Sequence, residues 1–515
     1  MPIARSVPAL LLLLAVSAAS AAEARAQDVL VVTSDDLRPA LDAWTRHRRA
    51  QGHEVAVAAP GEDVAATVRG VHAASRGALR HVLVLGDTDR VPCAYAPAVA
   101  IAAWESDTRI ATDAPFCDVD GDGRPDVALG RIPAHDADEA RRLLARSIAY
   151  ETSPPPGTWR RRLDVVAGVG GFGAQADMAL EMVTRLALNR DVPPWVETGF
   201  VYAKETSAFC PPPARLQPEF LERLARGALV VAYVGHGSAR HVDRMTWQGR
   251  AHPILEADAA AQLACARGAP VLVFVACSTG RYDAEEDCLA ELAYRRPAGP
   301  ACVVASSRVS TPYGNGILAV ELLDALLVQE RGTIGDAVLA AKRALVAAES
   351  ERPTRVALEA LAAQFYETDA AKRATDRAEH VQLYQLFGDP LLRPARPAAA
   401  RLEAPSECAA GTPLRVLVRS PVAGRALLEV LPRRDANARL RRPGRDAEQL
   451  AADFAAANVR PLATGEADVA TADEAVALSV DLPAGLDAGR YDVRVFVEGP
   501  EGCSAAGVAL RVTAR

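Results

Sequence analysis

The sequence predicts an α/β protein built of two successive parallel-sheet units and closed by an immunoglobulin-like β-sandwich. Three observations lead there. From Asp28 to about Pro394, short Val- and Leu-rich runs alternate with helical periodicity, the pattern of parallel strands joined by crossover helices. A stiff Pro154-Pro155-Pro156-Gly157 break divides that region. From residue 401 the pattern changes to strict apolar/polar alternation, which suits an antiparallel sandwich. At 515 residues the chain is also too long for one ordinary core.

Each element follows in order. Residues 1–26 read as a signal peptide, with Arg5 as the positive start, an apolar core over 8–19 and Ala24-Arg25-Ala26 before the cut; Ser20-Ala21-Ala22 is the other cleavage candidate. That core is too short to span a bilayer, and no second stretch reaches spanning length. The mature chain is therefore expected to be exported, to the periplasm, the cell surface or the medium, with no transmembrane segment. In the first unit, 27–155, strands are expected at 29–33, 54–58 and 81–86, and helices at 37–51 and 63–74. In the second, 156–394, strands are expected at 163–167, 229–234, 271–275 and 302–306. Helices there are expected at 174–188, 220–227, 317–329, 333–348 and 356–366. Residues 395–400 read as a linker. The sandwich, 401–515, takes strands at 413–419, 425–431, 475–480, 491–497 and 507–512, with 435–474 as loop plus a short helix.

A net charge of −7 gives no footprint for nucleic acid or an anionic membrane. Nine cysteines in an exported chain suit four disulfides and one free thiol. Cys408 with Cys503 and Cys93 with Cys117 are the first candidates. Cys210, Cys265, Cys288 and Cys302 could pair in any order, and Cys277 is the expected free thiol.

Two runs carry the chemistry. Val230-Val231-Ala232-Tyr233-Val234 ends in Gly235-His236-Gly237-Ser238, and Val271-Leu272-Val273-Phe274-Val275 ends in Ala276-Cys277-Ser278. Both are buried parallel strands by composition. Ligands bind outside the carboxyl ends of such strands, so an imidazole and a thiol are delivered to one crevice. That is the minimum for a cysteine nucleophile with its acid/base partner. The backbone N–H groups of Gly237 and Cys277 are candidates to hold an oxyanion.

These motifs resemble the caspase-like (clan CD) cysteine peptidases and, more closely, the gingipain family, peptidase family C25. The His and Cys motifs match in chain order. So do Leu83–Asp87, 128–133, 302–307 and the Leu386-Phe387-Gly388-Asp389-Pro390-Leu391 segment. The resemblance covers about 28–394. It implies a caspase-like three-layer domain of two α/β subdomains and a cysteine endopeptidase acting as a monomer on proteins or peptides, with Cys277 as nucleophile and His236 as acid/base. It also implies an acid supporting the His, where this chain has Val169, and an acid after the Cys motif, where it has Arg281 with Asp283 two residues on. Asp177 falls where the family reads a basic P1 side chain, and on a helix it shares a face with Glu181. Tyr313 lies near the family's aromatic pocket wall.

Other readings compete. Gly168-Val169-Gly170-Gly171-Phe172-Gly173, between a strand and a helix, fits a dinucleotide fingerprint, with Asp191 or Glu197 for the ribose. His236, His241 and Cys277 could suit a zinc hydrolase, though no tight ligand motif surrounds them. An inactive caspase-like surface or adhesion protein is the non-enzymatic alternative, resting on Val169 and Arg281. Asp118, Asp120, Asp122 and Asp126, with a Gly at the sixth position, follow the spacing of a Ca²⁺ loop, and Leu129 replaces its last acid. A structural Ca²⁺ is expected there, and no organic cofactor.

Overall fold

The computed structural model describes residues 26–514, apart from 106, 435, 437–440, 459 and 460. The expected signal peptide, 1–26, lies outside the described residues except for Ala26.

The two α/β units share one ten-stranded sheet. Its strands in chain order are β1 (Val29–Thr33), β2 (Val55–Ala58), β3 (His81–Leu85), β4 (Ala128–Ile132), β5 (Arg162–Ala167), β6 (Glu197–Tyr202), β7 (Val230–Val234), β8 (Val271–Val275), β9 (Cys302–Ser306) and β10 (Tyr384–Phe387). Across the sheet they run β2-β1-β3-β4-β10-β9-β8-β7-β5-β6. Every pair is parallel except β9 with β10. The strand made last in the chain thus joins the halves: Phe387 pairs with Arg131 of β4 on one side and with Val303 of β9 on the other.

Helices cover both faces. These are α1 (Asp42–Ala50), α2 (Val64–Ala74), α3 (Ala137–Thr152), α4 (Ala174–Arg190), α5 (Leu216–Arg226), α6 (Pro312–Leu327), α7 (Ile334–Val346), α8 (Pro353–Phe365) and α9 (Ala370–Leu383). Strand residues alternate faces. Val29 and Val31 lie on the face that also buries Trp44 of α1, Leu143 of α3 and, further along the sheet, Phe220 of α5. Leu30 and Val32 pack with Val64 and Val68 of α2. On that second face Val165, Val273 and Val304 meet Ile317, Leu326 and Val338 of α6 and α7. α6 is apolar nearly all round because α8 and α9 cover its outer side.

Past β10, Asp389 is fully buried and fixes the two halves together. It accepts from Trp44 Nε1 at 2.5 Å and Arg48 Nη2 at 2.6 Å, and Arg48 also reaches Glu151 of α3 at 2.8 Å.

The C-terminal part forms two mainly antiparallel sheets around a shared core of Leu414, Val416, Leu428, Val430, Val493 and Val495. Its principal strands are β11 (Pro413–Arg419), β12 (Gly424–Pro432), β13 (Ala463–Val469), β14 (Ala475–Asp481), β15 (Gly489–Gly499) and β16 (Gly502–Thr513). Within the polar 435–474 stretch lie both a helix, α10 (Ala447–Ala457), and β13. α10 covers the exposed edge strand β6: Phe200 N–H donates to Asn458 Oδ1 at 2.8 Å, and Leu450 enters the core of the α/β unit. The expected linker is partly ordered into the sandwich, with Ala398–Ala399 paired to β16.

All nine cysteines are unpaired, which corrects the four-disulfide expectation. Topology explains it for one candidate pair. Cys408 sits opposite Val512, nine residues along β16 from Cys503, or about 30 Å of strand. Most of the others are buried as small apolar residues.

Candidate active site

Strand register brings the two motifs together. Val234 of β7 pairs with Val275 of β8, so His236 and Cys277 each lie two residues beyond matched positions on neighbouring strands. The loops then touch. A Cβ on Gly237 would lie 2.6 Å from Cys277 O and 2.9 Å from Thr279 Cγ2, so only glycine allows this approach. Among the described residues no group accepts from the N–H of Gly237 or Cys277. Ser278 has φ of +52°, an uncommon conformation for a non-glycine residue, and its N–H is held by Arg308 O at 2.8 Å.

His236 is held from three sides. Its Nε2 lies 3.0 Å from Gly170 O. A ring nitrogen facing a carbonyl carries the hydrogen, so the neutral ring is the Nε2–H tautomer and Nδ1 keeps its lone pair. Phe172 stacks on the imidazole at 4.2 Å between centroids. The backbone N–H donates to Asp243 Oδ2 at 3.2 Å, and the same oxygen accepts Val169 N–H at 3.1 Å. Tyr233 Oη lies 3.0 Å from that oxygen and 2.9 Å from His236 O. Burial, then Asp243, push the Tyr233 phenol well above its ordinary range, which keeps it a donor. A Cβ on Gly168 would lie 1.9 Å from Asp243 Oδ2, and one on Gly235 would lie 2.6 Å from Tyr233 Oη. The glycines flanking this motif make room for the brace.

Cys277 has its own support. Ser310 N–H and Ser310 Oγ lie 3.4 and 3.8 Å from Sγ, and Sγ is 3.4 Å from Ser310 O. Asn315 of α6 donates to Ser310 Oγ at 2.9 Å, and Tyr384 of β10 donates to Asn315 Oδ1 at 2.6 Å.

The remaining sequence candidates fall as follows. Val169 contributes only its N–H; the group facing the imidazole is the Gly170 carbonyl. Arg281 lies 3.9 Å from Asp107, and Asp283 pairs with buried Arg308 at 2.7 Å. Asp177 braces the 168–173 loop, accepting the N–H groups of Gly171 at 3.0 Å and Phe172 at 3.1 Å. Those are amides that a dinucleotide phosphate would need. Glu181 accepts from Tyr202 Oη at 2.8 Å and pairs with Lys204. Tyr313 points away from the crevice. It donates to Glu359 at 2.7 Å and accepts from Arg377 at 2.6 Å, and burial pushes its phenol up to about 12. Phe172 supplies an aromatic wall instead.

His241 Nδ1 meets Val242 O at 3.0 Å, and His236, His241 and Cys277 form no ligand cluster. Among the described residues the one group of three or more acidic, His or Cys side chains able to hold a metal is Asp118, Asp120 and Asp126, whose oxygens come within 4.8 Å of one another. Asp122 stays outside it and accepts Arg124 N–H at 2.8 Å. Sequence reasoning missed Asp243, Ser310 and Asn315. Asp243 was visible as an acid soon after His236; nothing local marks the other two.

The sequence profile of peptidase family C25 matches residues 22–395. No curated protein matches the chain. Among solved structures it is similar to the Arg specific cysteine proteinase gingipain R, with a TM-score of 0.54 at 14% identity over 96% of this chain and 99% of that one. It is also similar to the complex of pro- and mature domains of Porphyromonas gingivalis RgpB, with a TM-score of 0.53 at 14% identity over 95% and 100% of the two chains. A structure described only as a protease matches with a TM-score of 0.53 at 15% identity, over 94% and 97%. These likenesses extend the shared fold through the C-terminal sheets.

Proposed function

Because the chain belongs to peptidase family C25 and is a cysteine-type peptidase, we propose that it is an exported endopeptidase in which Cys277 attacks the scissile carbonyl and His236 handles the proton. The observation that carries this reading is the matched register of β7 and β8, with Gly237 pressed against Cys277 O. The Cys277 thiolate adds to the carbonyl carbon. The oxygen takes the charge and is met by the free N–H groups of Gly237 and Cys277. His236 Nδ1 takes up the proton that the Cys277 thiol loses on becoming the thiolate and gives it to the leaving amine, while Gly170 O holds Nε2–H in place. Water then cleaves the thioester, with His236 Nδ1 accepting its proton.

Export rests on the residues 1–26 reading, and no helix among the described residues is long and apolar enough to cross a membrane. The substrate class is protein or peptide, and the working unit is a monomer. The C-terminal sheets, read as an immunoglobulin-like sandwich, act as a buttress through α10. A structural Ca²⁺ would be held by Asp118, Asp120 and Asp126, since close carboxylate oxygens suit that hard cation; it would pin a loop and take no part in the reaction. The inactive surface or adhesion reading loses support because Gly170 O faces the imidazole where an acid was expected.

A basic P1 preference is the second reading. Asp177 suggests it, as does the Arg specific relative. It requires Asp177 to serve a substrate while holding two backbone amides. The deciding experiment for the activity is hydrolysis of fluorogenic peptides by the chain from Gln27, under reducing conditions, beside Cys277→Ala. Turnover abolished by the substitution is expected; equal turnover in both would refute the assignment.

A further inference from the structure

An apolar cavity of about 120 Å³ lies between α4, α6 and the sheet. Its near end belongs to the reacting pair. Phe172, on its wall, stacks on His236. Val234 and Val275, also on its wall, precede His236 and Cys277 by two residues. Asn315 holds the Ser310 hydroxyl beside Sγ, and Pro312 and Gly316 complete the mouth. None of these side chains is charged.

The carboxylates of the cavity are remote. Asp191 follows the last turn of α4, a helix of 17 residues and so about 25 Å long, whose N-terminal end faces His236. Asp324 is three turns along α6 from Pro312, about 18 Å, and is already paired with Arg352. Asp177, Glu181 and Lys204 line a neighbouring cavity that shares Phe172, Leu180, Val234 and Gly235 with this one; Asp177 is already held by the N–H groups of Gly171 and Phe172, and Glu181 by Lys204.

We infer that this cavity receives the P1 side chain and selects a large uncharged apolar one, Leu, Met or Phe, over Arg or Lys. The inference rests on Cys277 being the nucleophile. A guanidinium or ammonium entering here loses its water among uncharged walls, and the nearby Asp177 carboxylate is already engaged by two backbone amides. A Leu or Phe side chain removes apolar surface from water on both sides. The walls place Ala319 one turn deeper than Asn315, opposite the end of such a side chain.

The test is kcat/KM on a fluorogenic panel differing only at P1, with Leu, Met, Phe, Ala, Arg and Lys, for the chain from Gln27 and for Ala319→Leu and Ala319→Glu. In the parent, Leu, Met or Phe should exceed Ala by about 10- to 100-fold, and Arg and Lys should fall below Ala. Ala319→Leu should collapse the Phe-to-Ala ratio, and Ala319→Glu should raise Arg and Lys relative to Leu. Cleavage with Arg or Lys preferred by the parent overturns the inference and leaves the peptidase assignment standing. Ratios unmoved by both variants overturn the placement of the pocket. No cleavage of any substrate, with Cys277 unlabelled by iodoacetamide, overturns the assignment beneath it and this inference with it.

Discussion

Asp243 Oδ2 accepts the backbone N–H of His236 at 3.2 Å, and the same oxygen takes Val169 N–H at 3.1 Å. One carboxylate therefore fixes both His236 and the loop whose carbonyl orients its ring. Asp243→Ala should lower kcat by about 10- to 100-fold with KM little changed, because a small misplacement of the base is costly. Asp243→Asn can keep one contact but sets an NH₂ or a weaker acceptor against several donors, and should fall between. A parent-like kcat in the Ala variant would remove Asp243 from the machinery.

Ser310 faces the sulfur with its N–H and its hydroxyl. Ser310→Ala removes the hydroxyl alone, leaving Asn315 without that acceptor. The alkylation rate of Cys277 by iodoacetamide should drop several-fold, roughly the worth of one hydrogen bond. An unchanged rate would show that the hydroxyl does not serve the thiol.

The short helix Leu289–Tyr294, which carries Glu291, ties the loops after His236 and Cys277 to the core. Leu289 N–H donates to Ala239 O and Ala290 N–H to Thr279 O. Burial pushes the Glu291 carboxyl up to about 8, although Arg295 pulls the other way. Between its unfolded value of 4.5 and about 8 it is protonated in the fold and ionised in the unfolded chain. Its contribution is thus complete below the lower value and disappears as pH rises through the upper one. The melting temperature should fall by a few degrees between pH 6 and pH 9, and Glu291→Gln should flatten that slope. An equal slope in the variant would assign the loss to other groups.

Asp389 and Arg48 are both fully buried, 2.6 Å apart. Asp389→Ala strands one face of the guanidinium, leaving Nη1 with Glu151 and Gln51, and leaves Trp44 Nε1 unpaired. Chemical denaturation should show a loss of about 3–5 kcal/mol. A loss under 1 kcal/mol, by that same measurement, would mean the contact between the halves is replaceable.

A Ca²⁺ on Asp118, Asp120 and Asp126 should raise the melting temperature, and EGTA should reverse the gain. Asp118→Ala with Asp120→Ala should abolish the response. Insensitivity of the parent chain to both reagents eliminates the ion.

The strands that end in His236 and Cys277 were legible because buried parallel strands leave long β-branched runs, and their reactive termini stand out against small neighbours. The sandwich strands were legible from period two. β6 was not: Glu197-Thr198-Gly199 opens it with polar and small residues, and it is sheltered by α10, which comes about 250 positions later. β10 is four residues leaving α9 without a turn, so it reads as helix end or loop. Asp177 had the right neighbourhood, but the direction of a carboxylate on a first helical turn depends on whether the preceding loop offers amides, which composition does not tell. Ser310, Asn315 and Tyr384 are ordinary polar residues until the sheet sets them in a line behind the sulfur.

The placement of β10 gives biosynthesis a clock. Cys277, His236 and their strands are complete once Ser306 has been made, yet the two half-sheets have no shared strand until Tyr384–Phe387 arrives between them. Tyr384 is also the end of the chain of contacts through Asn315 and Ser310 to the thiol. A nascent or prematurely terminated polypeptide lacking this segment carries both side chains without the strand that joins the half-sheets behind them.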